Sequence, residues 1–208
     1  MEQIPIIGVT GATGAGKGLV CKILAERGAF VINADIIAHE VIKKGLPAYD
    51  EILSAFSEYA DILDADGEII RKRLGEIAFA DEAKLRILTE ITHKHIIEEI
   101  TAKAAKIRAM PENHTSIVID APLLIESGLH KHCNKIIGVA ANCDLRIARI
   151  MRRDGLTEHE ARLRASKQTP LETLRQHADV IVENNGSEAQ LRNCMSSIFP
   201  STEWCQRS

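Results

Sequence analysis

The sequence has few aromatic residues and no long apolar run. Only seven of its 208 residues are Phe, Tyr or Trp, so a core of ordinary size has to be built from Ile, Leu, Val and Ala. No apolar stretch reaches the roughly 20 residues that span a bilayer. The opening MEQIPIIGVTG has neither a basic segment nor a long hydrophobic one, which argues against a secretory leader. A strong charge of one sign is also missing. The 26 Lys and Arg against 29 Asp and Glu leave a net charge of −3, which excludes a globally basic nucleic-acid binder and still permits a local basic patch. The five cysteines (Cys21, Cys133, Cys143, Cys194, Cys205) contain no Cys-x-x-Cys pair. Their odd number suits reduced thiols in a cytoplasmic protein better than a disulfide framework. At 45% hydrophobic and 26% charged residues, the composition is that of a globular chain, one domain with room for an inserted subdomain.

Short apolar, non-alternating runs at 4–9, 29–32, 116–119, 135–140 and 180–182 predict buried parallel strands, separated by stretches of helical spacing. The expected class is therefore α/β, a parallel sheet of about five strands covered by helices. A first helix over 19–27 is expected to stop at Gly28. Between 36 and 113 the pattern is almost wholly helical. Pro47 is placed to open one helix, Asp64-Ala65-Asp66-Gly67 to form a turn, and 81–109 to form a long helix ending near Pro111. Thr157 with Glu160, and Ser187 with Gln190, fit capping boxes. The triplets His93-Lys94-His95 and His130-Lys131-His132 lack Cys or acidic partners at zinc-like spacing and read as ordinary histidines.

The strongest signal is Gly11-Ala12-Thr13-Gly14-Ala15-Gly16-Lys17-Gly18, a G-x-x-x-x-G-K loop between a predicted strand and a predicted helix. Glycines let backbone amides close around phosphate oxygens, the helix N-terminus adds its own amides, and Lys17 is suited to bridge terminal phosphates. Gly11, Thr13, Gly14, Ala15, Gly16, Lys17, Gly18 and Leu19 are thus the candidate ATP-binding residues. Gly18 stands where the motif has a Ser or Thr whose hydroxyl ligates Mg²⁺. A water can take that place, because Mg²⁺ commonly keeps several. Asp35 follows the second strand and Asp120 ends the run Ile117-Val118-Ile119, both at positions where open α/β sheets bind ligands. The alternatives are helix capping by Asp35 and a simple turn at Asp120.

The loop, VINADIIAHEV at 31–41, GEIIRKRLGEIAF at 67–79, DAPLLIESGL at 120–129 and HADVIVENNGS at 177–187 occur in consistent order, and together they resemble the dephospho-CoA kinase family from about residue 4 to 192. The resemblance implies a P-loop kinase core (1–35, 114–148 and 170–208), a helical acceptor-binding region (36–113) and a lid (149–169). It implies transfer of the ATP γ-phosphate, with Mg²⁺, to the ribose 3′-hydroxyl of dephospho-CoA. It assigns Asp35 as catalytic base and metal ligand, Asp120 as the second metal ligand and Lys17, Arg149 and Arg153 as catalytic cations. Arg71, His93, Pro122, Leu123, Leu124 and Glu126 fall to the acceptor, and Asn184 and Asn185 to the adenine side. Asn33 stands where the family has its first Asp, and Lys94 where it has a proline after the histidine. Residues 146–167 carry seven Lys or Arg, read as lid cations, with Arg149 and Arg153 on one helix face. A small-molecule substrate with neither nucleic acid nor membrane as partner, and a monomer or weak homo-oligomer, complete the expectation. Two alternatives stay open: a kinase for another small acceptor, such as a nucleoside or nucleotide, and a nucleotide-binding regulator weakened in catalysis by Gly18.

Overall fold

The structure, a computed structural model, describes residues 4–110, 114–166 and 171–199; Pro111, Lys167 and Cys205 lie outside the described residues. The chain divides into two compact units, one of residues 1–32 with 104–208 and one of residues 33–103.

The first unit is built on a five-stranded sheet. In chain order the strands are β1 (Ile6–Thr10), β2 (Ala29–Asn33), β3 (Ser116–Asp120), β4 (Lys135–Ala140) and β5 (Val180–Glu183). Their spatial order is β2-β3-β1-β4-β5. β1 runs parallel to β3 and to β4, and β4 parallel to β5, with Val9 opposite both Asp120 and Ile137. Strands covered on both faces need apolar residues at successive positions, and all five residues of β1 are buried. The core sets Val9, Val118, Ile137, Val139 and Val182 against Val20, Ile23 and Leu24 of α1 (Lys17–Ala25) and Leu191 and Met195 of α9 (Glu188–Ile198). Aliphatic side chains thus fill the space that scarce aromatics leave to them.

The termini of these elements follow local chemistry. Helix α1 begins two residues before the expected start because Gly16 already serves as its N-cap. Ser187 and Gln190 make the reciprocal capping box of α9. At the other end of α9, the Arg27 guanidinium donates to the carbonyls of Met195 (3.2 Å) and Phe199 (3.1 Å) and to Ser196 Oγ (2.7 Å). It thereby satisfies carbonyls that a helix end leaves open. Helix α6 (Cys143–Asp154) ends at Gly155 and runs unbroken through position 149, where the lid was expected to begin; α7 (Glu158–Ser166) and α8 (Leu171–His177) follow.

The second unit is helical: α2 (Ala34–Glu40), α3 (Pro47–Ala55), α4 (Arg71–Phe79) and most of α5 (Glu82–Arg108). Pro47 opens α3. Asp64 Oδ1 accepts from the amides of Asp66 (3.0 Å) and Glu68 (2.9 Å), closing the expected turn. Helix α2 corrects one expectation. Its N-cap is Asn33, whose Oδ1 accepts from the Ile36 amide at 3.0 Å, so capping does not fall to Asp35. The helix starts at Ala34 because Asn33 is an excellent cap that comes two residues earlier.

Among the described residues no helix is long and apolar enough to cross a membrane. No group of three or more His, Cys, Asp or Glu gathers there in a way that could hold a metal. His95 lies instead buried between Glu51 (3.0 Å) and Glu98 (3.2 Å) in the helical unit. Cys21, Cys133, Cys143 and Cys194 carry free thiols. Burial pushes the Cys133 thiol up to about 12, away from the reactive thiolate form.

Candidate active site

The loop 11–18 leaves the end of β1 and enters α1 directly. Three of its glycines are required by geometry, Gly11 (φ 144°) among them, because a Cβ there would run into the Val139 carbonyl. Gly14 (φ 80°) and Gly16 (φ 98°) occupy the left-handed region, which costs an L-residue with a side chain about 1–2 kcal/mol. A Cβ on Gly14 would lie 2.6 Å from the Arg146 carbonyl oxygen, and one on Gly16 would lie 2.1 Å from Asn184 Nδ2. The loop is therefore packed against α6 on one side and against the segment after β5 on the other. Lys17 folds back and donates from Nζ to the Gly11 carbonyl at 2.7 Å. That holds an ammonium at the mouth of a loop whose amides and helix terminus favour an anion.

Three side chains grip the outside of the loop. Arg146 Nε donates to the Thr13 carbonyl (3.1 Å), Arg149 Nη1 to Gly14 (3.2 Å) and Asn184 Nδ2 to Ala15 (2.8 Å). Arg149 Nη2 also donates to the Asn184 carbonyl at 3.0 Å. Asn184 is buried. Asn185 Oδ1 accepts from the Asn142 amide at 2.7 Å, tying the same segment to the start of α6. Arg153 is engaged elsewhere, with Asp154 at 2.7 Å, and Asp154 also takes Arg164 at 2.9 Å.

A cavity of about 670 Å³ opens at the carboxyl ends of β1, β3 and β4. It is lined by Thr10 at the end of β1, by Gly11, Ala12 and Ala15 of the loop, by Pro122, Leu123 and Glu126 after β3, and by Asn142, Cys143 and Arg146 at the start of α6. Thr10 Oγ1 donates to the Pro122 carbonyl at 3.1 Å, fixing the post-β3 segment beside the loop. Leu124 was expected among the acceptor residues; it is fully buried and does not line the cavity. Its Cδ2 fills the space that a Cβ on Gly8 would occupy, 2.5 Å away, so it serves the core.

Asp120 ends β3 and faces the thiol of Cys21 on α1. Burial and the nearby Asp120 carboxylate push that thiol well above the usual range, with Lys17 pulling the other way. The three side chains therefore share one electrostatic environment under the loop. Gly18 lies in the first turn of α1, and a Cβ built on it meets nothing within 4 Å. The donor set fits a phosphate-bound Mg²⁺, with a carboxylate below the loop and open space where a hydroxyl or a water can stand.

Asp35, Arg71 and His93 belong to the helical unit. Asp35 is exposed in the first turn of α2. Arg71 is the first residue of α4, and its Nη1 stands against the His39 imidazole, 2.6 Å from Nδ1. His93 is half-buried midway along α5. The sequence reading missed Arg146, His39 and the Cys21–Asp120 contact. Only Arg146 left a readable trace, since positions 146, 149 and 153 recur on one face of a helix.

A family model described as dephospho-CoA kinase matches residues 5–190. The chain belongs to the dephospho-CoA kinase family. It is 39% identical to the dephospho-CoA kinase of Aquifex aeolicus over 87% of this chain and 89% of that one. Against the Carboxydothermus hydrogenoformans enzyme the identity is 35%, over 98% and 97%. A solved dephospho-CoA kinase from Campylobacter jejuni superimposes with a TM-score of 0.69 at 30% identity, covering 94% of this chain and 95% of that one. Family membership makes the chain an ATP-dependent kinase.

Proposed function

We propose that this chain moves the γ-phosphoryl group of ATP onto the ribose 3′-hydroxyl of dephospho-CoA, giving coenzyme A and ADP. The observation that carries the reading is the preformed phosphate loop, with Lys17 at its mouth, in a chain matched to this family almost end to end. The loop amides and Lys17 hold the β- and γ-phosphates and neutralise charge as it spreads over the transferring group. Asp35 takes the acceptor hydroxyl proton. Pro122, Leu123 and Glu126 shape the acceptor side of the cavity, and the family resemblance gives Arg71 and His93 to the acceptor as well. Mg²⁺, when bound, would supply charge neutralisation for the transfer, and Asp120 and Asp35 are the residues that would hold it. Work in the cytoplasm as a monomer or weak homo-oligomer, without nucleic acid or membrane, accords with the near-neutral charge.

The test is ADP release by purified protein with Mg-ATP. Turnover with dephospho-CoA and none with nucleosides or nucleotides is expected. Turnover with a nucleoside acceptor, or nucleotide binding without any turnover, overturns the acceptor assignment.

Position 18 adds a second expectation. Gly18→Ser meets no steric obstacle and returns a hydroxyl to the metal side of the loop. It should lower the Mg²⁺ concentration that half-saturates ADP binding by about three- to tenfold, the scale of one added oxygen ligand. Calorimetric ADP titrations at stepped Mg²⁺ concentration read this directly. An unchanged Mg²⁺ dependence means that another group already fills the position.

A further inference from the structure

Arg149 entered as a cation for the transferring phosphoryl group, yet both of its terminal nitrogens are committed to backbone carbonyls, Gly14 at 3.2 Å and Asn184 at 3.0 Å. Two of its five N–H donors are thus held by the outer wall of the loop, and they fix where the guanidinium stands. It works within a larger pattern. The carbonyls of three consecutive residues, Thr13, Gly14 and Ala15, each accept from a side chain outside the loop: Arg146, Arg149 and Asn184. In a trans peptide the carbonyl and the following N–H point in opposite directions, and no cis bond occurs among the described residues. Drawing these carbonyls outward turns the N–H groups of Gly14 and Gly16 away from the brace. The Ala15 amide is used within the loop, donating to the Ala12 carbonyl at 3.0 Å.

Two further facts make the brace a unit. Asn184 is buried, and its own amide donates to the Ala140 carbonyl at 2.8 Å, so its side chain is aimed from a sheet-anchored segment. Arg149 joins that segment to the loop by bonding one carbonyl in each. An empty anion loop sets amide dipoles side by side, a repulsive arrangement that relaxes unless something outside restrains it.

We propose that Arg149 is a positioning residue: bridging Gly14 and Asn184, it holds the phosphate loop in its anion-ready shape before nucleotide arrives. This deepens the kinase reading of the same site and rests on it for the identity of the anion.

The experiment compares the parent chain with Arg149→Met, which removes both bonds, and Arg149→Lys, which can keep one. The ligands are ADP, inorganic tripolyphosphate and adenosine, by calorimetry, with KM and kcat measured beside them. Hydrogen exchange at the amides of residues 14–17 is followed without ligand. Expected for Arg149→Met are a loss of about tenfold or more in both ADP and tripolyphosphate affinity, as for a lost charge-assisted hydrogen bond, unchanged adenosine binding, a raised KM for ATP with an unchanged KM for the acceptor, and faster exchange at 14–17. Arg149→Lys should fall between the two. Phosphate affinity and loop exchange both within twofold of the parent, with only kcat reduced, would return Arg149 to a transition-state cation and overturn the proposal. Equal loss for adenosine, acceptor and phosphate would overturn it as general unfolding, which far-UV circular dichroism of both variants detects. A parent chain that binds neither ADP nor tripolyphosphate sinks the kinase reading, and loop exchange in the unliganded variants still decides the brace.

Discussion

Asp35→Asn is expected to lower turnover with dephospho-CoA by about 10²- to 10⁴-fold, the range that a positioned general base contributes, while ADP binding changes by less than about threefold. The separation is expected because Asn at this position keeps an oxygen donor, Asp120 stays on the metal side, and the helix cap is untouched. Capping of α2 rests on Asn33, whose Oδ1 holds the Ile36 amide at 3.0 Å. The substitution keeps size and shape and leaves that bond in place. Its structural cost is the loss of one carboxylate near a helix N-terminus, about 0.3–1 kcal/mol at an exposed position, too little to unfold the unit. Steady-state kinetics beside ADP calorimetry on the same preparation reads both arms. A turnover within tenfold of the parent removes Asp35 from the proton transfer, and a parallel collapse of ADP binding makes it a nucleotide ligand instead.

What the sequence made legible was local. Strand and loop at 6–18 are consecutive, so their relation needs no tertiary knowledge: a β-branched run, then glycines at the positions where φ turns positive, then a lysine. The capping boxes at Thr157 and Ser187 and the proline start at 47 are readable for the same reason, each being settled within four residues. Difficulty begins where two good local solutions compete. Asn33 and Asp35 both cap well, and only the point at which the backbone turns helical chooses between them. Leu123 and Leu124 are equally apolar in the string. One is exposed and lines the cavity, and the other is buried over Gly8, because a sheet glycine more than a hundred residues away leaves room for only one of them.

The arginines of α6 show the same limit in charge. Spacing put Arg149 and Arg153 on one face, and the resemblance gave both to the transferring phosphoryl group. In the fold Arg149 meets two carbonyls and Arg153 meets Asp154. A guanidinium carries five donors, so its partner is set by whatever acceptors the tertiary structure presents, here the outer wall of the loop. Asn184 and Asn185, read in isolation as a turn, anchor two neighbouring segments through side-chain amides. For Arg149, Asn184 and Asn185 the missing information was a partner distant in sequence.

Gly16→Ala is expected to be severely damaging, reducing ADP affinity by about 10²-fold or more and lowering stability by about 2–5 kcal/mol. The methyl group would enter a position with φ 98° and lie 2.1 Å from Asn184 Nδ2. Asn184 cannot easily yield. It is buried, and retreat breaks its 2.8 Å bond to the Ala15 carbonyl, leaving a buried donor and acceptor unsatisfied at a cost of about 1–3 kcal/mol. The backbone conformation adds about 1–2 kcal/mol more. Because Gly16 is also the N-cap of α1, relaxation of the clash moves the helix amides that the phosphates need. Gly18→Ala is the matched control. It adds the same methyl two residues on, within the helix, where nothing lies within 4 Å, and should leave stability equal or raised by about 0.5–1 kcal/mol. Thermal denaturation and ADP calorimetry on the pair isolate the geometry of one glycine from the chemistry of the loop. Equal behaviour of the two variants would mean that the contact between Asn184 and the loop does not constrain it.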